Sequence, residues 1–412
     1  MAKKLRDALP PGVRFWLRLQ RAKLIRSWQA LRNPKARSHQ PDFKSEYPRP
    51  GFLAFDDHML APERDTGSAR TALILKSFAA LGPTTFISLS NLNSTEDERL
   101  LKAAGIEVAP WTEYQRLLKV RDYQIALLSR ADVAAAVLPS LRRSNPKIKT
   151  IFETVDLTWR RLEREHELTG EKSVARRAAR YRKIEARLAR DCDQVWCITE
   201  EEEELLAREA PGAWIRVIPT IHPLQDQGKS FDERDGLLFI GNFLHKPNVD
   251  AIHYFMREVH PLIRNRIGVK TFIVGPHAPP EIVSYASDEV VVTGYVDDIN
   301  PLFQSCRVFL APLLYGGMKG KIGQALSYGL PVVATSIGAE GFELSHDVNV
   351  MLGDVPEAFA QGVIDLYTQP ELWRALSENG RTKIADHFTP EAVSRTIDKA
   401  ISELIAADRA AR

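Results

Sequence analysis

The feature that most constrains this chain is a regular alternation of short apolar runs and helical patterns, which begins at residue 51. "GFLAF", "TTFISLS", "YQIALLS" and "KTIFETVD" are apolar runs of strand length, and amphipathic segments such as "ARTALILKSFAALG" separate them. Such runs are typical of strands that are buried on both faces of a parallel sheet. The alternation therefore predicts an α/β fold with doubly wound parallel sheets. A charged segment from about 159 to 192 predicts one long helix.

The alternation restarts at "DGLLFIGN", after the junction "PTIHPLQDQGKSFDERDG", and continues through "VKTFIVG", "RVFLAPLL" and "PVVAT". A chain of 412 residues is too long for one hydrophobic core. We predict two Rossmann-like domains, an N-terminal one over 51–222 and a C-terminal one over 223–390. We expect a last helix over 391–412 to pack back on the N-terminal domain. Ligands of such sheets bind at the carboxyl ends of the strands, so the two domains are expected to face each other across a ligand cleft.

The first 50 residues form a basic extension and linker. Residues 1–40 contain eleven Lys and Arg and one acid, Asp7, so their net charge is +10. The whole chain has a net charge of +3, so the remaining residues have a net charge of −7. "VRFWLRLQRAKLIRSWQALR" has helical periodicity with tryptophans among basic residues. Such a helix can lie on an anionic membrane, or it can pack on its own protein with a solvated basic face. Both interpretations stay open. Nucleic acid is not expected as a partner, because the body is net negative.

Cysteine usage and hydropathy indicate the compartment. Cys192, Cys197 and Cys306 are too few and too scattered for a disulfide framework or a zinc site, and they fit a reducing cytosol. No stretch approaches the roughly 18 consecutive apolar residues of a membrane span. The N-terminus lacks the uninterrupted apolar core of a signal peptide. We expect a cytoplasmic protein that can associate peripherally with the inner face of the cytoplasmic membrane.

The strongest chemical signal is the loop "GGMKGKIGQALSYGLPVVAT", which begins at Gly316. Glycines let the backbone approach a ligand closely, Lys319 and Lys321 supply positive charge, and the helix that follows supplies unpaired N–H groups. A diphosphate is the natural ligand, and the alternative is that the two lysines form a solvated turn. The P-loop spacing is absent and no G-x-G-x-x-G follows the first strand, so a nicotinamide cofactor is unsupported.

The chain resembles GT-B glycosyltransferases, with the closest similarity to glycosyltransferase family 4, which includes bacterial O-antigen and capsule enzymes. The similarity runs from about 51 to 405. It rests on "RDTGSART", "LLSRADVA", "IFETVDLTW", "GLLFIGNFLHKPNVDAIHYF" and "VVVTGYVDDINPLFQSCRVFLAPLLYGGMKGKIGQALSYGLPVVATSIGAEGF". The resemblance implies a retaining enzyme that needs no metal or other cofactor. It would move a hexose or deoxyhexose from a nucleotide-diphosphate sugar to a saccharide acceptor, which we expect to be lipid-linked.

The resemblance also implies a donor site in the second half of the chain. Lys319 and Lys321 would neutralise the leaving diphosphate. Gln324 and Gly316 stand where the family has the two glutamates of its E-x7-E motif, so the chain departs at both positions, although a glutamine amide can still bind a ribose hydroxyl. Lys246 is a weaker cationic candidate. The remaining donor-binding residues implied are Gly241, Asn242, His245, Gly294, Tyr295, Val296, Gly317, Met318 and Glu340.

In the first half, the resemblance points to a loop beside the donor. Gly67 and Ser68 precede a predicted helix, so their N–H groups can face phosphate or sugar, and Asp65 and Arg70 flank them. These two charged residues either contact ligand or form a structural ion pair. Asp156 follows a strand and would orient or deprotonate an acceptor hydroxyl, unless it is a helix N-cap.

Two other functions stay open at this stage. One is a non-hydrolysing sugar-nucleotide epimerase, although the acids and histidines that such an enzyme needs are not evident in the predicted loops. The other is a weakly catalytic sugar-nucleotide-binding module of a glycan-assembly complex, which the missing glutamates of the E-x7-E motif would permit.

Overall fold

The computed structural model describes residues 51–60, 66–89, 95–315 and 319–410. The predicted basic helix and linker over 1–50 therefore lie outside the described residues. The chain divides into two compact units. The first contains the described residues up to Arg160, then 175–218 and the residues from Ile397 onwards, and the second contains 161–174 and 219–396. Residues 161–174 thus group with the second unit, although they fall within the predicted N-terminal domain.

Strands and helices alternate through the first half of the chain. In order they are β1 (Gly51–Asp56), α1 (Thr66–Leu81), β2 (Thr84–Ser88), α2 (Thr95–Ala103), β3 (Ile106–Pro110), α3 (Tyr114–Val120), β4 (Tyr123–Ser129), α4 (Ala131–Ser144), β5 (Lys149–Glu153), α5 (Thr158–Thr169), α6 (Lys172–Asp191), β6 (Gln194–Cys197), α7 (Glu200–Glu209) and β7 (Ile215–Val217).

The first unit is built on a seven-stranded parallel sheet of order β3-β2-β1-β4-β5-β6-β7. Every residue of β1 and β2 is buried, as is expected for strands covered on both faces. The order reverses between β1 and β4, since the chain runs from β1 outward to β3 and then returns to β4. The ends of these two neighbouring strands therefore form a switch point, where α/β sheets bind ligands.

The second half continues the alternation. Its elements are β8 (Leu237–Ile240), α8 (Lys246–Tyr254), a π-helical turn (Phe255–Val259), α9 (His260–Arg264), β9 (Thr271–Val274), α10 (Pro280–Val283), β10 (Val290–Gly294), α11 (Asn300–Ser305), β11 (Val308–Ala311), α12 (Lys319–Ser327), β12 (Val332–Ala334), α13 (Ser336–Ala339), β13 (Met351–Leu352), α14 (Pro356–Thr368), α15 (Pro370–His387) and α16 (Pro390–Ala410).

The second unit contains a six-stranded parallel sheet of order β10-β9-β8-β11-β12-β13. Its hydrophobic core includes all residues of β8, β11 and β12, packed against α8, α12 and α14. The order reverses between β8 and β11, which gives this sheet its own switch point. The predicted α/β class with two doubly wound parallel sheets is confirmed.

One predicted element is wrong. The segment from about 159 to 192 forms two helices, α5 and α6, because the chain breaks at Gly170, whose φ is +65°. Glycine adopts this left-handed conformation readily, and it ends helices for that reason. Within the described ranges, no helix combines the length and apolar character needed to cross a membrane.

Candidate active site

A pocket of about 550 Å³ lies at the switch point of the second unit. Gly241, which directly follows β8, and Leu313, which follows β11, both line it. The carboxyl ends of strands at a switch point are where open α/β sheets bind ligands, and the volume is typical of small-molecule sites. We therefore take this pocket as the candidate active site.

The pocket is lined mainly by polar side chains, with basic groups in excess. The polar set comprises Arg161, Glu165, Thr169, Asn242, His245, Lys246, Asn248, Tyr315 and Lys321. The apolar set comprises Ile240, Leu244, Pro247 and Leu313. Five residues from the predicted donor site are thus brought together here, namely Gly241, Asn242, His245, Lys246 and Lys321.

Lys321 lies in the first turn of α12 and is half-buried. Its Nζ donates to the side-chain oxygen of Gln324 at 3.0 Å, and no carboxylate pairs with it in the part of the chain that the structure describes. Burial lowers the pKa of the Lys321 ammonium, because the charged form loses hydration. An anion in the pocket would supply the missing counter-charge.

Lys246, the other lysine of the pocket, already has a counter-ion. It forms an ion pair with Asp250, which also accepts a hydrogen bond from the Tyr315 hydroxyl at 2.6 Å. Burial alone would raise the pKa of Asp250, but the hydrogen bonds from Lys246 and Tyr315 outweigh it and lower that pKa. Lys246 is also largely exposed, so its charge is offset by both a carboxylate and water, unlike that of Lys321.

The loop between β8 and α8 is organised by Asn242. Its side-chain oxygen accepts from the Leu244 amide at 3.0 Å, and its carbonyl accepts from the His245 amide at 3.1 Å and from the Asn248 side chain at 2.8 Å. These bonds set the N-terminus of α8 at the pocket wall. Helix N-termini attract anions through their free N–H groups and the helix dipole.

The start of α12 rests on the buried ring of His222. The ring Nε2 lies 3.2 Å from the Thr220 hydroxyl, and the His222 amide donates to the Phe388 carbonyl at 2.7 Å. A Cβ on Gly323 would lie 2.5 Å from this ring. Burial, and then the charge of Lys321, lowers the pKa of His222 to about 4, so the ring is neutral at pH 7.

Glu340 is held by a residue from α5. Arg164 donates to one of its carboxylate oxygens at 2.7 Å, while the other, Oε2, is buried and has no hydrogen-bond partner among the described residues. Arg161, Glu165 and Thr169 of the same helix line the pocket. The sequence analysis missed these residues because it assigned the whole of this segment to the N-terminal domain.

Among the described residues, three further members of the implied donor site, Gly294, Tyr295 and Val296, do not line the pocket. Gly294 ends β10 with a φ of +70°, Tyr295 is 70% exposed, and Val296 packs at the edge of the hydrophobic core. Their role beside the nucleobase stays a prediction. Gly316, Gly317, Met318 and the side chain of Lys319 lie outside the described residues.

In the first unit, Gly67 and Ser68 lie within the first turn of α1 and do not precede it. Arg70 is buried, forms an ion pair with Glu153, and donates to the Ile218 carbonyl at 2.7 Å. These contacts engage the Arg70 guanidinium inside the first unit, and the ligand contact considered for Arg70 stays a prediction. Asp65 lies outside the described residues.

Asp156 lies between β5 and α5. The first amides of that helix, those of Thr158 and Trp159, donate to the Glu185 carboxylate at 3.1 Å each. Burial raises the pKa of Glu185 to about 8, despite these hydrogen bonds, which lower it. Glu185 thus accepts from the first two amides of α5. The proposed contact of Asp156 with an acceptor hydroxyl stays a prediction.

Residues that could bind a metal are dispersed. Within the described ranges, no group of three or more His, Cys, Asp or Glu side chains is arranged to hold a metal ion. Cys192, Cys197 and Cys306 are buried free thiols, and burial raises the pKa of Cys192 to about 12. Such thiols are unreactive at neutral pH.

Two Rossmann-like units of this kind define the GT-B fold of glycosyltransferases, and the resemblance drawn from the sequence is confirmed at that level. Sucrose-phosphate synthase from Thermosynechococcus elongatus has a similar structure, with a TM-score of 0.64 and 16% identity over 87% of this chain and 100% of that one. HepE from Anabaena, solved with UDP and glucose, has a TM-score of 0.61 and 14% identity over 87% of this chain and 99% of that one. The lipopolysaccharide outer core galactosyltransferase WaaB has a TM-score of 0.63 and 12% identity over 86% of this chain and 99% of that one.

Residues 234–369 match the family model described as "Glycosyl transferases group 1". An uncharacterised 44.6 kDa protein in the cps region of Klebsiella pneumoniae is 24% identical over 220 residues, which cover 50% of this chain and 55% of that protein. The putative glycosyltransferase YtcC of Bacillus subtilis (strain 168) is 26% identical over 108 residues, covering 25% and 26%. The chain thus spans about half of the length of the first relative and about a quarter of that of the second.

Proposed function

We propose that this chain is a retaining glycosyltransferase of cell-surface polysaccharide synthesis. It transfers a hexose or deoxyhexose from a nucleotide-diphosphate sugar to a saccharide acceptor. Support comes from the match of residues 234–369 to group 1 glycosyltransferases and from the Klebsiella pneumoniae relative in a cps region. The UDP and glucose named for HepE and the outer core activity named for WaaB agree with it.

The observation that carries this proposal is the state of Lys321. Its ammonium is half-buried, lines a pocket of about 550 Å³, and bonds only to the neutral amide of Gln324 among the described residues. The N-terminus of α8 forms part of the same wall. A cation without a counter-ion beside a helix N-terminus is suited to a diphosphate.

The chemistry follows from where charge develops. The bond between the anomeric carbon and the phosphate oxygen breaks, and its electron pair stays on the diphosphate. The acceptor oxygen bonds to the anomeric carbon on the same face, and its proton passes to the departing phosphate oxygen. Lys321, with Lys319, stabilises the charge on the diphosphate, and one preorganised group of this kind contributes about 3 kcal/mol. Asp156 orients the acceptor hydroxyl.

The proposal assigns charge neutralisation to lysines and helix amides, so it requires no metal or other cofactor. Transfer should continue in the presence of a chelator such as EDTA. Loss of activity in EDTA that is restored by a divalent cation would contradict this part of the proposal.

The acceptor is proposed to be a growing saccharide on a lipid carrier at the inner face of the cytoplasmic membrane. This part rests on the family resemblance and on the charge of +10 within residues 1–40. Deleting residues 1–40 should release the protein from vesicles that contain anionic lipid, measured by cosedimentation. Unchanged binding to the vesicles would show that this segment is not the anchor.

The function is tested by incubating the full chain with a panel of nucleotide-diphosphate sugars and an acceptor extract. Release of nucleoside diphosphate with a glycosylated product is the expected result, and K319A/K321A should abolish it while the protein remains folded. An isomerised nucleotide sugar would indicate an epimerase, and neither product would indicate a binding module. Near-normal turnover in the double variant would reject the role of the lysines.

A further inference from the structure

One face of α5 borders the pocket of the second unit. Arg161, Glu165 and Thr169 line the pocket, and residues spaced by four lie above one another on one side of a helix. Arg161 and Thr169 are exposed, whereas Glu165, in the middle of this face, is half-buried. Glu165 is also the one acidic residue among the described residues that line the pocket. The pocket thus contains a carboxylate that has no role in neutralising a diphosphate.

The carboxylate of Glu165 is not engaged by the protein. It makes no hydrogen bond or ion pair within the described ranges, and the contact with Thr169 uses the backbone instead, because the Thr169 hydroxyl donates to the Glu165 carbonyl at 2.8 Å. Partial burial removes part of the hydration of a carboxylate. A bound molecule that donates hydrogen bonds would replace that lost hydration.

Neighbouring contacts fix where Glu165 lies in the second unit. Arg164, the preceding residue of α5, donates to Glu340 at 2.7 Å, and only 13% of the Arg164 side chain is exposed. Burial raises the pKa of Tyr315, which also lines the pocket, and its hydrogen bond to Asp250 and the charges of Asp250 and Glu165 raise it further. The Glu165 carboxylate is therefore close enough to Tyr315 for its charge to act there.

The charge of Glu165 limits which part of a ligand it can bind. Lys321 and the N-terminus of α8 favour an anion in the pocket, as described above. A diphosphate bound to them is repelled by a carboxylate on the same pocket wall. The ribose and the transferred sugar, which flank the diphosphate of a nucleotide-diphosphate sugar, carry uncharged hydroxyls. Hydroxyls can donate to Glu165 without this repulsion.

The lining of the pocket favours the transferred sugar over the nucleoside. A nucleobase gains most from stacking on an aromatic ring. Tyr315 is the one Phe, Tyr or Trp among the described lining residues, and it is only 7% exposed. A hexose also presents more neighbouring hydroxyls than a ribose, and the two oxygens of one carboxylate can accept from two of them.

We propose that Glu165 binds two neighbouring hydroxyls of the transferred sugar while that sugar is still attached to the nucleotide. Its carboxylate accepts a hydrogen bond from each hydroxyl, and Lys321 and the α8 amides bind the diphosphate. Glu165 thus distinguishes the nucleotide-sugar substrate from the nucleoside diphosphate product. After transfer, the product has lost these hydrogen bonds and keeps only the repulsion, which favours its release. This inference rests on the proposed function and names the residue that recognises the sugar.

The test measures ligand binding to the full chain by isothermal titration calorimetry. Each nucleoside diphosphate is paired with its sugar conjugates: UDP with UDP-glucose and UDP-galactose, GDP with GDP-mannose, and dTDP with dTDP-rhamnose. Glu165→Gln should weaken binding of the nucleotide sugar about tenfold, the loss expected for a hydrogen bond to a charged group. Binding of the matching nucleoside diphosphate should be unchanged or tighter, because a like charge is removed.

Glu167→Gln is the matched control. Glu167 belongs to the same helix, is exposed, and is not among the residues that line the pocket. Its replacement should leave both dissociation constants unchanged. A purely structural role of Glu165 would instead change binding of both ligands in the same direction. Lys321→Ala gives the complementary result, since it should weaken binding of both members of a pair.

Glu165→Asp is a second variant that keeps the charge but shortens the side chain. It should weaken binding of the nucleotide sugar without tightening binding of the nucleoside diphosphate. The inference is overturned if both Glu165 variants bind the nucleotide sugar like the wild type, or if Glu165→Gln weakens both members of a pair equally. Either result, obtained with a wild type that binds nucleotides, leaves the proposed function standing. A folded wild type that binds no nucleotide contradicts the proposed function, and this inference with it.

Discussion

The imidazole of His222 lies against Gly323, so closely that a Cβ at position 323 would be 2.5 Å from the ring. These residues are separated by about a hundred positions in the sequence. Gly323 lies two residues beyond Lys321 in α12, so we infer that this contact fixes the position of the helix and, with it, the point at which Lys321 enters the pocket. The position of a charge in the candidate active site therefore depends on a glycine and on a neutral histidine ring.

Replacing Gly323 with alanine should destabilise the protein and displace Lys321. We expect a loss of about 1–3 kcal/mol in the free energy of unfolding, because the new methyl group overlaps a buried ring. Urea unfolding measures the loss, and nucleotide thermal shift measures the effect on the pocket. Gly268→Ala is the matched control, since a Cβ there meets nothing within 4 Å. Equal stability of the two variants would show that the His222 ring moves aside with no loss in the free energy of unfolding.

The two lysines of the pocket should contribute unequally. Lys321→Ala should weaken nucleoside diphosphate binding and reduce the transfer rate by roughly 100-fold, because its charge has no counter-ion in the described structure. Lys246→Ala should have a smaller effect, because Asp250 already offsets that charge. Lys270→Ala serves as the control, because Lys270 is exposed and precedes β9, at the amino end of the strand, whereas the pocket lies at the carboxyl ends. Equal effects of the first two variants would contradict this ranking.

His222 should make the protein more stable as the pH rises from about 4 to 6.5. Its pKa is about 4 in the folded chain and 6.5 when unperturbed. In this window the unfolded state binds more protons, so the free energy of unfolding increases with pH, by at most about 1.4 kcal/mol per pH unit. The difference between wild type and His222→Phe in urea unfolding should show this slope. A difference that does not vary with pH would mean that the ring titrates normally.

Glu185 should act with the opposite sign at higher pH. Its pKa is about 8 in the folded chain against an ordinary value of 4.5, so the folded state holds a proton that the unfolded state has lost. Its contribution to stability is complete below pH 4.5 and declines as the pH rises through 8. Glu185→Gln keeps an acceptor for the Thr158 and Trp159 amides and should remove this decline. Measurement between pH 6.5 and 8.5 avoids the titration of His222.

Much of the fold could be predicted from the sequence, because strands that are buried on both faces appear in it as short apolar runs. The apolar runs that became β1, β4, β8 and β11 are continuous, as parallel strands covered on both faces require. The break between α5 and α6 was missed, because the helical charge pattern passes through Gly170 without interruption. A single glycine is tolerated inside many helices, and its left-handed conformation becomes visible only in the structure.

The candidate site was predictable where its residues lie in short glycine-containing segments that follow strands. Asn242, His245 and Lys321 lie in short glycine-containing segments after strands, and the structure places all three at one pocket. His222 and Arg161 were not predictable in this way. His222 contacts Gly323 of α12, and Arg161 lines the pocket from α5. Both contacts arise from tertiary packing, and no local sequence pattern indicates them.

The most direct test of this account is a crystal structure of the full chain with a bound nucleotide-diphosphate sugar. We predict that the diphosphate lies at the ends of β8 and β11, with its oxygens within hydrogen-bond distance of Lys321 Nζ. A nucleotide bound elsewhere, with Lys321 still donating to Gln324 alone, would contradict it.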